Sequence, residues 1–123
     1  MVQKEILETV KDERITVFVV WTPVLREDDR QAAVQAIANV TDERAHHFWD
    51  PDKSLGFALG KAVTLPRGRE LAWDVYFVFD SKSEWGDQPT TPANWMHQLG
   101  NDDRTLDGNK LRVAIEKLLG MAE

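Results

Sequence analysis

The sequence predicts an α/β fold, a four-stranded mixed sheet flanked by helices on both faces. Short runs rich in β-branched and aromatic residues, ITVFVVW (15–21), RAHHFW (44–49) and WDVYFVF (73–79), read as strands. Segments with apolar residues at helical spacing separate them. The resulting order, β-α-β-α-β-β-α after a leading helix, favours right-handed crossovers followed by a hairpin. With 123 residues and 42% hydrophobic content, the chain is expected to form one domain, residues 1–123, with its own core.

Residues 3–11 are expected to form a short helix with Ile6, Leu7 and Val10 on one stripe. ITVFVVW is apolar on both faces and is expected to be a central buried strand, ended by Pro23. Asp28 or Asp29 is placed to cap a following helix in which Ala33, Ala36, Ile37 and Val40 repeat at helical spacing. RAHHFW is a second strand, stopped by the turn-forming Asp50-Pro51. Ser54 is the expected cap of a helix reaching Lys61 or Val63, although Gly56 and Gly60 weigh against helix there. LPRGRE (65–70) reads as a loop and WDVYFVF as the clearest strand. ANWMHQL (93–99) alternates like an edge strand, NDDRTLDGN is a polar turn, and KLRVAIEKLLGM is a helix burying Leu111, Ala114, Ile115, Leu118 and Leu119. The expected sheet order is 2-1-3-4.

Composition narrows the function. A net charge of -6 without a basic stripe argues against nucleic-acid or anionic-membrane partners. The chain has no cysteine, which removes disulfides, thiolate metal sites, CxxC redox chemistry and cysteine nucleophiles together. The opening MVQKEILETVKDER carries no apolar core of a secretory signal, and VFVVW is too short to span a bilayer, so a cytoplasmic location is expected.

This pattern resembles the thioredoxin-like fold over roughly residues 15–120. Trp21-Thr22-Pro23 stands where that family carries its active-site turn, and Ala72-Trp73-Asp74 where it usually has a cis-proline. The redox cysteines are missing, so the resemblance implies a redox-inactive member. The chain is also similar to a group of bacterial proteins sharing an HFWD…AWDVYF…WMHQL pattern, a likeness that implies no activity.

If the four strands form one sheet, their unusual residues collect at a single edge. Trp21, Thr22 and Pro23 would meet Trp49 and Asp50, Trp73 and Asp74, and His97 and Gln98. Open α/β sheets bind ligands beyond the carboxyl ends of their parallel strands. In HHFWDPD (46–52), His46 and His47 are strand neighbours pointing to opposite faces, so they cannot share a metal ion. His47 shares the face of Trp49, and His46 that of Phe48. No calcium-loop pattern, phosphate cradle or serine elbow is present, and no cofactor is expected.

Two readings follow. One is a non-redox protein binding a small ligand or a protein partner at the tryptophan-rich end of the sheet. The other is an enzyme, metal-assisted or not, using Asp50, Asp74 and His97, with Asp74 and His97 as an acid–base pair. The bland reading for each residue stands beside these: tryptophans as core, Asp50 as a turn former, histidines as packing.

Overall fold

The structure, a computed structural model, describes residues 2–23 and 40–121. The helix expected after Asp28 or Asp29 falls on 24–39, outside the described residues. The chain divides into two compact units, Met1–Ser54 and Leu55–Glu123.

The first unit begins with α1 (Val2–Leu7), a short π-type turn whose wide spacing shows in the Glu8 amide bonding the Gln3 carbonyl at 2.8 Å. Ile6, Leu7 and Val10 are buried, as the stripe anticipates. Strands β1 (Val17–Trp21) and β2 (Ala45–Trp49) pair in parallel, with Val17 opposite Ala45 and Trp21 opposite Trp49. Arg44 locks α1 to β2. Its guanidinium donates to the carbonyls of Leu7, at the end of α1, and of Val10 and Asp12 in the segment that follows, at 2.6–2.9 Å.

The second unit opens on α2 (Ser54–Ala62), whose first residue is the last of unit one. At its start the Asp52 carboxylate accepts the Ser54 amide at 3.1 Å. The glycines that weigh against this helix are its packing surface. A side chain at Gly60 would run into the Glu70 carbonyl, one at Gly56 would lie 2.6 Å from Leu71, and the Ala72 amide bonds the Gly56 carbonyl. Close backbone approach, not helix propensity, selects glycine here. Residues 65–70 hold a single 3₁₀ turn at Pro66–Gly68. Strands β3 (Val75–Val78) and β4 (Asn94–His97) form an antiparallel pair, and α3 (Gly108–Met121) closes the chain. Leu65, Trp95, Met96, Leu99 and Leu111 are its buried apolar residues. Ala114, Ile115, Leu118 and Leu119 are half-buried, on the anticipated face of α3.

Two predictions about the sheet are therefore corrected. The thioredoxin-like, four-stranded mixed sheet flanked by helices on both faces, in order 2-1-3-4, is not found among the described residues. The described strands make two separate two-stranded sheets, β1-β2 and β3-β4. Periodicity identifies strands but says nothing about which strands share hydrogen bonds. Nor is β1 a central strand buried on both faces: among the described residues it pairs with β2 alone, and Phe18 is 65% exposed. Strand β4 departs in the other direction, with Trp95, Met96 and His97 all buried where an alternating edge strand was expected. No helix among the described residues is long and apolar enough to cross a membrane.

Candidate functional site

The predicted site residues fall into the two units. In the first, the ends of β1 and β2 gather Trp21, Thr22, Trp49 and Asp50, with Pro23 following β1. The Asp50 amide donates to the Trp21 carbonyl at 2.8 Å, and the Thr22 hydroxyl donates to the Asp50 carbonyl at 3.2 Å. Asp50 is buried, and the Ser54 hydroxyl reaches its Oδ1 at 3.4 Å. The Trp21 indole donates to His47 Nδ1 at 3.1 Å, so the His47 proton sits on Nε2 and bonds the Val40 carbonyl at 2.9 Å. HHFWDPD is thus a strand entering a turn. His47 shares a face with Trp21, while on the other face the Phe18 ring lies beside both His46 and Phe48.

In the second unit, Asp74 is no buried charge opening a strand. Its φ of 53° is left-handed, a conformation Asp tolerates better than most side chains, and β3 starts only at Val75. Its carbonyl accepts the Gln98 amide at 2.9 Å, and the Tyr76 hydroxyl donates to Gln98 Oε1 at 2.8 Å. Desolvation raises the Asp74 pKa above the ordinary carboxylate value. Burial, and then the Asp74 charge, raise that of Tyr76. Asp74 and Gln98 do meet, and Tyr76 belongs with them. Trp73 is half-buried just before them. Asp50 and Trp21 belong to the β1-β2 pair and Asp74 and His97 to the β3-β4 pair, so among the described residues no single sheet carries all four to one edge.

His97 is fully buried, and both ring nitrogens are engaged. The Leu99 amide donates to Nδ1 at 3.0 Å, so Nε2 carries the proton and donates to Asp102 Oδ1 at 2.8 Å. The acid–base partner expected for His97 was Asp74; the carboxylate it meets is Asp102. Residues 104–106 run beside His97, whose amide bonds the Arg104 carbonyl and whose carbonyl accepts the Leu106 amide.

The signal missed in NDDRTLDGN is a repeated local motif. At Asp12-x-Arg14, Asp42-x-Arg44 and Asp102-x-Arg104, the Asp Oδ1 accepts the amide two residues on at 2.8–2.9 Å, a turn in which the side chain mimics backbone. In the first two, the arginine folds back and pairs with its aspartate, at 2.7 and 2.9 Å. Those contacts hold both carboxyls down to about 2. At Asp102 the carboxyl is also lowered, first by the Arg104 amide and then by His97. Arg104 instead lies over the Trp95 ring, 4.6 Å from its centroid, and donates to the Trp95 carbonyl at 3.1 Å.

Beside this arrangement runs an open groove of about 590 Å³, bordered by Leu65, Pro66, Trp95, Asp102, Asp103 and Arg104. That volume lies in the range of small-molecule sites. Among the described residues, no group of three His, Asp or Glu side chains is placed to hold a metal ion. No family model, curated protein or solved structure matches the chain.

Proposed function

We propose that the protein is a non-catalytic binding protein that takes a small ligand in the groove beside Trp95 and Arg104. One observation carries this reading: His97 takes Asp102 Oδ1, and Arg104 lies over Trp95 at the groove rather than in an ion pair with its own turn aspartate. A held cation, an apolar wall and a second carboxylate are the ingredients of a recognition site. The acid–base alternative has lost its geometry, since neither nitrogen of His97 is open to a substrate. Without cysteine, thiol–disulfide exchange has no nucleophile.

The test is amide-resolved NMR with a mixed set of cationic, anionic, dipolar and neutral fragments. Shifts concentrated at Thr64, Leu65, the Trp95 indole and residues 102–104 support the reading. Shifts confined to the Trp21–Trp49 end of the parallel pair, or no shifts, overturn it.

A further inference from the structure

We infer that the ligand of this groove is a small zwitterion, an ammonium and a carboxylate on a compact apolar body; the inference rests on the groove being the binding site. Arg104 uses one N–H on the Trp95 carbonyl and one face on the Trp95 ring. Among the described residues it makes no ion pair, unlike Arg14 and Arg44. The neighbouring carboxylate, Asp102, spends its Oδ1 on both His97 Nε2 and the Arg104 amide. Asp103 is exposed, and among the described residues its side chain has neither a hydrogen bond nor an ion pair.

A cation and an anion that make no ion pair among the described residues therefore stand on consecutive positions bordering one groove, with Leu65 and Pro66 supplying apolar wall. A ligand with a single charge satisfies one of them. A dipolar ligand satisfies both, and selectivity between ligands is that difference. His97 is a positioning residue here, because it takes the Asp102 oxygen that the arginine Nε holds in the other two turns.

The experiment compares four probes by NMR titration: L-leucine, L-leucinamide, N-acetyl-L-leucine and isoamyl alcohol. They share one apolar body and carry both charges, the ammonium alone, the carboxylate alone, and neither. Leucine should move Thr64, Leu65 and the Trp95 indole, and bind about fivefold tighter than either blocked analogue, the upper end for an exposed ion pair. Asp103→Asn should erase its advantage over N-acetyl-leucine, and Arg104→Gln its advantage over leucinamide, with the spectra confirming that both variants stay folded. Equal affinity for all four probes at the same signals would overturn the zwitterion and leave the groove standing. Failure of every probe to move those signals would overturn both.

Discussion

His97 donates to Asp102 across 2.8 Å from a ring with no solvent exposure, while its other nitrogen receives the Leu99 amide. The ring is thereby a structural junction between β4 and the turn after it. Replacing it with alanine removes a packed ring and leaves the Leu99 amide and Asp102 without their partner. His97→Ala should cost about 2–4 kcal/mol, read from urea midpoints. A variant as stable as the parent would mean that His97 is kept for chemistry after all.

Gly60 faces the Glu70 carbonyl with no room for a side chain, whereas nothing lies within 4 Å of a Cβ built at Gly120. Helix propensity alone favours alanine at both positions. Gly60→Ala should nevertheless destabilise by about 1–3 kcal/mol, and Gly120→Ala should be neutral or stabilise by up to about 1 kcal/mol. Thermal melts of the two variants separate close packing from propensity; equal responses would refute the packing.

Asp74 stands at φ 53° ahead of β3. Glycine adopts that conformation without strain, and a β-branched residue does not. Asp74→Gly should hold or raise the denaturation midpoint, while Asp74→Val should lower stability by about 1–2 kcal/mol. The opposite ranking would place Asp74 in an ordinary extended strand.

The Asp42 carboxyl is held down from 3.8 to about 2 by the Arg44 side chain and amide. A depressed carboxylate contributes stability that is complete above its unfolded value and disappears as pH falls through its folded value. Stability should therefore decline between pH 4 and 2, and the gap between the parent and Asp42→Asn should close at the acid end of that window. Arg44→Lys, which cannot fork across three carbonyls, should cost about 2 kcal/mol at neutral pH. A gap independent of pH would show that the Asp42 charge takes no part.

The strands and helices were largely legible because each has its own hydrophobic period. Strands 45–49 and 94–97, the helix 54–62 and the buried stripe Ile6-Leu7-Val10 all carry that signal. Strand partnership was not legible, because a period of two is the same in a two-stranded and a four-stranded sheet. Gly56 and Gly60 misled because propensity was weighed without the backbone they face. Asp102 could have been found from the recurring Asp-x-Arg turn. The choice of Asp102 over Asp74 by His97 depends on how residues 98–106 fold back along β4, which local pattern does not encode.

The most direct measurement of where this protein binds is a crystal structure after soaking with small dipolar fragments. The expected result is ligand density against Trp95 and Arg104, with the His97–Asp102 hydrogen bond intact near 2.8 Å. Density at the Trp21–Trp49 end of the parallel pair with the groove empty, or a substrate-like fragment hydrogen-bonded to His97 in place of Asp102, would contradict it.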